Sequence, residues 1–287
     1  MKYSKDKLPP PTGRQKDKLK ALDVRPSKKR GQNFLTNKEV PKQIADFGAT
    51  EVSSHVVEIG PGTGALTTHL AHYPNLTLIE IEEKLCAPLA EQFPNAKILN
   101  ADIRSVDFSE LGKNLVVFGN IPYVFSSEII FHLLKYRHSI QYAILMVQKE
   151  FAERIAAKPH TKAYGSMTVA VQLWADISLD IVVPGTDFHP PTQVSSQVMK
   201  ITFRESPRVV IEDLKKFEFI VRAAFSQRRK KMVNSLVAAA RWSKEAIEAA
   251  VLDVGLSLNV RAEQVSVEKF GELVKKLRGL EITKSAN

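Results

Sequence analysis

The chain has 287 residues, 44% hydrophobic and 25% charged, proportions of an ordinary globular protein that buries a core in one large domain or two unequal ones. A peptide, a low-complexity chain and an array of many small domains are excluded. The net charge is +10, with 11 basic and 3 acidic side chains over residues 1–31, 13 and 17 over 32–203, and 17 and 11 over 204–287. Basic ends suited to a polyanion thus flank an acidic-leaning middle.

Charge alone leaves nucleic acid and an anionic membrane surface both open. The single cysteine, Cys86, excludes an intramolecular disulfide and a multi-cysteine metal cluster, and the seven histidines show no ligand spacing, so no metal is expected. No apolar run is long enough to span a bilayer, and MKYSKDKLPPP at the N-terminus lacks the apolar stretch of a secretory signal. The expectation is a cytoplasmic protein with a flexible basic tail over residues 1–27.

In chain order, Asn37 is a plausible N-cap for a helix over 38–49. A strand over 55–59 breaks into Gly60-Pro61-Gly62-Thr63-Gly64 and a helix follows. A strand over 76–81, a helix near 83–92, a strand over 97–99, a strand over 115–118, a helix over 126–136 and a strand over 142–147 continue the alternation. This rhythm predicts an α/β fold with a doubly wound, mostly parallel sheet whose ligands lie outside the carboxyl ends of the strands. Strands over 177–183 and 198–203 are expected to close the edge antiparallel. Beyond them only helical patterns remain, near 213–225, 229–241, 243–253 and 266–277, with Gly255 a candidate stop for the third. The domain boundary is placed at about Ser206-Pro207, giving 28–206 as the sheet domain and 207–287 as a helical domain.

Chemistry concentrates at the strand ends. Gly60, Gly62 and Gly64 permit a tight turn and close backbone approach to a ligand, and the next helix points N–H groups at it. The loop alone fits either a dinucleotide fingerprint or the glycine-rich loop of methyltransferases. Glu80, 20 residues past Gly60, is spaced to accept ribose hydroxyls. Asp102, ending the third strand, is suited to an adenine amino group. Together these three ends point to an adenosine-containing cofactor. At the fourth end, Asn120-Ile121-Pro122-Tyr123 offers an amide, a Pro-turned backbone and an aromatic face where a substrate would meet that cofactor.

This last arrangement resembles the motif of methyltransferases acting on an exocyclic amino group of a base. Together with Arg30-Gly31-Gln32-Asn33-Phe34-Leu35, Glu58–Thr67, Met146–Glu150, Tyr164-Gly165-Ser166, Phe188–Val194 and Phe225–Lys230, it makes nearly the whole chain from Lys28 onward similar to the bacterial small-subunit (16S) ribosomal RNA adenine N6,N6-dimethyltransferases, the KsgA family. The resemblance implies a Rossmann-like methyltransferase domain with a small helical C-terminal domain. It implies S-adenosyl-L-methionine as cofactor and two adjacent adenines near the 3′ end of that RNA, within an assembling 30S particle, as substrate of a monomer. Cofactor contacts are then expected from Gln32, Asn33, Leu35, Gly60, Gly62, Gly64, Glu80, Ile81, Asp102, Ile103 and Asn120. Departures are the segment Phe188-His189-Pro190-Pro191-Thr192-Gln193-Val194, which has Thr192 and Gln193 where a Pro and a Lys are usual in the family, and Val124-Phe125, where a small polar residue and Ile are usual.

The mechanism expected from this set is one of aiming. The Asn120 side-chain oxygen and the Pro122 carbonyl accept the two amino hydrogens, while Tyr123 and Phe188 hold the displaced base between aromatic faces. RNA is assigned to Arg222, Arg228, Arg229, Lys230 and Lys231, with the last four expected to begin a helix. Three other functions share parts of the pattern: an erythromycin-resistance type enzyme acting on large-subunit (23S) RNA, a non-catalytic ribosome-assembly factor, and a nicotinamide dehydrogenase.

Overall fold

The computed structural model describes residues 15–27, 31–240 and 242–279. Helix α1 (Gln15–Ala21) precedes β1 (Phe34–Leu35) and α2 (Glu39–Phe47). The alternating region follows as β2 (His55–Ile59), α3 (Thr67–Leu70), β3 (Asn75–Glu80), α4 (Glu83–Gln92), β4 (Lys97–Asn100), α5 (Phe108–Leu111), β5 (Leu115–Asn120), α6 (Ser126–Lys135) and β6 (Ile140–Gln148). Then come α7 (Lys149–Ile155), α8 (Ser166–Gln172), β7 (Ala175–Val183), β8 (Phe188–His189) and β9 (Ser196–Phe203). Four helices, α9 (Leu214–Phe225), α10 (Met232–Ala240), α11 (Lys244–Asp253) and α12 (Val267–Lys276), complete the described chain.

Seven strands form one sheet in the order β4-β3-β2-β5-β6-β9-β7. The pairs from β4 to β6 are parallel and β9 runs antiparallel to β6, as the doubly wound reading expects. Val56, Val57, Val116, Val117 and Phe118 are fully buried, which is why these strands read as continuous apolar runs instead of alternating ones. From β2 the chain winds to one side through β3 and β4, then returns to β5 on the other. The crevice therefore opens at the carboxyl ends of β2 and β5.

The helix ends follow local chemistry. Asn37 Oδ1 accepts from Glu39 N at 3.0 Å ahead of α2, while Lys38 occupies the capping position. Asp213, Ser243 and Ser266 cap α9, α11 and α12 through their side chains. Gly255, with φ of +74°, ends α11 as the sequence predicts, its N–H bonding Leu252 O and that of Leu256 bonding Val251 O.

Two expectations change. The chain divides into a unit of residues up to Ala152 plus Ile177–Phe203, and a second unit of Glu153–Asp176 plus the residues from Arg204 on. A single cut at 206–207 misses the middle segment, because Tyr164, Val169 and Leu173 share a buried cluster with Phe217, Ile220, Leu236 and Phe270. Second, residues 15–27 are not a flexible tail: Leu19 is 2% exposed and joins Val24 in the core of the sheet unit, and Lys84 Nζ bonds the Asp23 carbonyl at 2.9 Å and its carboxylate at 2.8 Å. The rest of that expected tail, residues 1–14, lies outside the described residues, as do Lys28, Lys29 and Arg30. No helix among the described residues is long and apolar enough to cross a membrane, and none of their side chains form a group of three or more suited to a metal ion.

Candidate active site

A cleft opens over the carboxyl ends of β2, β3 and β5. Gln32, Asn33, Phe34, Leu35, Gly60, Gly62, Glu80, Ile81, Asp102, Ile103, Asn120, Ile121 and Pro122 line it. Nearly all of the residues expected to hold a cofactor are thus brought together from five separate stretches of chain. Gly60, Gly62 and Gly64 adopt φ of +65°, +58° and +81°, a region that side chains with a Cβ occupy only under strain. A Cβ on Gly62 would stand 3.1 Å from the Phe34 ring, whereas one on Gly60 would meet nothing nearer than 4.0 Å. Gly64 differs from the expectation. It does not line the cleft; its Cβ would fall 2.7 Å from Phe93, so close packing under the loop explains the residue.

Glu80 is 3% exposed and both its oxygens are anchored, Oε2 accepting from Gly62 N at 3.0 Å and Oε1 from Glu82 N at 2.9 Å. Burial raises its pKa, and the backbone donors oppose that rise. Each oxygen keeps a further lone pair for a ligand hydroxyl. Beside it, Ile81 is 46% exposed on the cleft, an apolar surface suited to a flat aromatic ring.

Asp102 is held by Arg104. Asp102 Oδ1 accepts from Arg104 N and Nε, both at 3.0 Å, and Oδ2 from Nη2 at 2.6 Å, which lowers the Asp102 pKa. Arg104 Nη1 donates to Glu128 at 2.7 Å, and its guanidinium lies 4.3 Å from the Phe125 ring centroid. Two of these partners, Arg104 and Phe125, line the cleft and were not expected there. No local pattern in the sequence marks them, since residues 104 and 125 meet only when the ends of β4 and β5 are assembled.

Asn120 Nδ2 donates to the Asn33 carbonyl at 3.2 Å. This fixes the amide so that Oδ1 is left as an acceptor, as the mechanism needs. The carbonyl of Pro122 is less suitable than expected: it precedes a short 3-10 turn and already accepts from Phe125 N at 3.1 Å and Ser126 Oγ at 3.3 Å. Ile121, which also lines the cleft, has a carbonyl that no hydrogen bond among the described residues reaches. Tyr123 is half-buried, its hydroxyl 2.5 Å from Ser196 Oγ on β9.

Phe188 does not present a face to the cleft. It is 3% exposed, because β1 and β8 pair antiparallel and set Phe188 opposite Leu35 inside the core of the sheet unit. A further residue, Glu58, lines the cleft with 2% exposure and takes a 2.7 Å hydrogen bond from Thr67 Oγ1. Its signal was in the sequence: a carboxylate inside the run Val56-Val57-Glu58-Ile59 is bound to be buried.

In the second unit, Arg222, Arg228, Arg229, Lys230 and Lys231 are all exposed. The basic run does not begin a helix. Residues 226–230 form the turn between α9 and α10, and α10 starts only at Met232, so the cations avoid the helix interior and gather at its positive end. Arg228 is also tied down, pairing with Glu263 at 3.4 Å and bonding the Lys162 carbonyl.

Residues 25–278 match the family profile described as ribosomal RNA adenine dimethylase. The chain is 36% identical over 274 residues to a ribosomal RNA small subunit methyltransferase A of Latilactobacillus sakei, covering 91% of this chain and 92% of the relative. It is 37% identical over 270 residues to the protein of that name from Syntrophus aciditrophicus, covering 90% and 96%. Among solved structures, a dimethyladenosine transferase from Plasmodium falciparum shares the fold with a TM-score of 0.74 at 24% identity, over 87% of this chain and all (100%) of that one. The 23S ribosomal RNA methyltransferase ErmE superposes with a TM-score of 0.67 at 26% identity, over 86% and 100%.

Proposed function

Because the chain belongs to the ribosomal RNA adenine dimethylase family, we propose that it methylates, in an assembling 30S particle, the N6 amino groups of two adjacent adenines near the 3′ end of small-subunit ribosomal RNA, giving N6,N6-dimethyladenosine. The protein is an S-adenosylmethionine-dependent ribosomal RNA adenine dimethyltransferase. The observation that carries the reading is the Asn120 amide, held by the Asn33 carbonyl with its oxygen left over, in the same cleft as the Glu80 and Asp102 carboxylates.

The cleft fits the cofactor. Open space above Gly60, an anchored buried carboxylate at Glu80 for ribose hydroxyls, the exposed Ile81 surface and the Asp102 carboxylate for an adenine amine match the parts of an adenosine. Asn33, Gly60 and Gly62 are at hand for the amino-acid end. When bound, S-adenosylmethionine supplies a methyl group made electrophilic by its sulfonium.

An adenine amine is a poor nucleophile because its lone pair is delocalised into the ring. Asn120 Oδ1 accepts one of its hydrogens and the free carbonyl of Ile121 the other, which draws the nitrogen toward tetrahedral geometry and stabilises the positive charge it acquires. Tyr123, steadied by Ser196, offers an aromatic face to the base once it leaves its stack. The nitrogen's proton becomes acidic after transfer and leaves to water, so no side chain has to act as base. The second unit, with Arg222, Arg229, Lys230 and Lys231 exposed, holds the RNA.

The cytoplasm is the proposed setting and a monomer the proposed form. Methyl transfer to undermethylated small and large ribosomal particles, with products mapped by primer extension, tests the reading. Dimethylation of two adjacent adenines in the small particle is expected. Modification of the large particle instead would favour the type of activity named for ErmE, and no transfer to either would leave an assembly factor.

A further inference from the structure

Two carboxyl groups line the cleft from neighbouring strands, and the assigned chemistry uses only one. The β2–β3 register pairs Glu58 with Leu78, two residues before Glu80, so both carboxyls stand on the same face of the sheet. Their surroundings differ. Glu80 accepts from two backbone N–H groups, while Glu58 accepts from the Thr67 hydroxyl alone, and its other oxygen has no hydrogen-bond partner among the described residues. At 2% exposure Glu58 touches water only through the cleft that it lines. Thr67 from α3 and Glu80 from β3 are the polar groups that act on it, and the remaining charged groups of the cleft, Asp102 and Arg104, are paired with each other.

A carboxylate so placed lacks donors and faces a second negative charge. The protonated form is therefore favoured, and burial first, then Glu80, push its pKa up to about 8 against the pull of Thr67. A cation entering the cleft reverses the balance, because opposite charge favours ionisation. We propose that Glu58 holds a proton in the free protein and releases it to solvent as the cationic end of the cofactor enters, its carboxylate then compensating that positive charge. The glutamate is thus a proton-linked determinant of cofactor affinity. This rests on the cofactor assigned above.

The test is calorimetry on the full chain near neutral pH, in buffers of different ionisation enthalpy. It compares wild type with Glu58→Gln, and S-adenosylmethionine with 5′-methylthioadenosine, which keeps the adenosine but carries no cation. Wild type is expected to release a sizeable fraction of a proton with S-adenosylmethionine that Glu58→Gln does not release, and neither protein to release it with methylthioadenosine. The wild-type affinity for S-adenosylmethionine should rise several-fold more between pH 6 and 8 than that of the variant. Infrared difference spectra of wild type alone give a second readout: the band of a protonated carboxyl should disappear on binding, which keeps the test open if the variant folds poorly. Equal proton release in the two proteins, the same release with methylthioadenosine, or a persisting carboxyl band overturns the proposal while leaving the cofactor reading intact. Absence of S-adenosylmethionine binding to wild type would overturn both.

Discussion

Asn120 and Asn33 are 87 residues apart, and the amide of the first donates to the main-chain carbonyl of the second at 3.2 Å. The bond joins the substrate end of β5 to the segment that enters β1, and it leaves Asn120 Oδ1 facing its task unflipped. Because the acceptor is main chain, the two asparagines should respond differently to truncation. Asn120→Ala is expected to lower kcat by on the order of 100-fold to 1000-fold, the range for losing one group that stabilises developing charge, with a much smaller change in cofactor affinity. Asn33→Ala retains the carbonyl and should act mainly on the KM for S-adenosylmethionine. Steady-state kinetics on small-subunit particles separate the two, and equal losses of kcat would contradict the division.

Glu58 also makes a stability prediction for the protein without ligand. Its pKa is raised from 4.5 to about 8 on folding. The folded state therefore binds the proton more tightly than the unfolded chain, and the stabilisation is full below pH 4.5 and is lost as pH rises to about 8. At about 1.4 kcal/mol per pKa unit, the full window is worth on the order of 4–5 kcal/mol. Glu58→Gln keeps a neutral group of the same shape, so it should be more stable than wild type at pH 9 and similar at pH 5. Urea unfolding at the two pH values checks this, and a variant less stable at both would refute it.

Phe188 offers a choice between core and stacking roles. Buried opposite Leu35, it should behave as core: Phe188→Ala is expected to cost roughly 3–5 kcal/mol of stability, while Phe188→Leu costs less and leaves the methyl-transfer rate near wild type below the unfolding transition. A folded Phe188→Leu protein with a rate lowered 100-fold would show that the ring meets the base after all.

The basic turn gives a prediction in salt. Charge reversal of Arg229 and Lys230 should weaken RNA binding without altering S-adenosylmethionine titrations, and should reduce the slope of log affinity against log salt by about 0.7–0.9 for each phosphate that is no longer neutralised. Arg228→Glu should in addition lower stability, since it places a negative charge against Glu263. Filter binding over a salt series, with thermal unfolding of each variant, distinguishes these outcomes.

Strands β2, β3 and β5, which carry most of the site, are legible in the sequence because they are buried on both faces. His55–Ile59 and Glu83–Gln92 fall where the apolar runs and helical period place them. The antiparallel β9 and the Gly255 stop follow from equally local rules. What escapes the sequence is set by partners distant in it. Segment 153–176 belongs with the helical unit through Tyr164, Val169 and Leu173, whose apolar side chains look the same in either core. Helix α1 lies in a Lys-rich stretch that composition alone reads as disordered, yet its Leu19, and Val24 just after it, are buried in the core of the sheet unit. The Pro122 carbonyl looks free in the sequence, but the turn that follows it uses both of its acceptor positions.

Residue type, spacing and period by themselves determined the α/β class, the strand ends that carry Gly60, Glu80, Asp102 and Asn120, and the division of charge between an acidic middle and basic ends. Those features are short-ranged: a glycine's permitted φ, a carboxylate's acceptors and a buried strand's composition act within a few residues. Only the tertiary structure decided which groups are occupied. Arg104 is drawn to Glu128, Phe188 is taken by the core and Arg228 by Glu263, whereas Asn120 Oδ1 and one oxygen of Glu58 are left without partners among the described residues. Hydrogen bonding and desolvation depend on what else arrives at the same point in space, and that is fixed by how the strands and helices assemble.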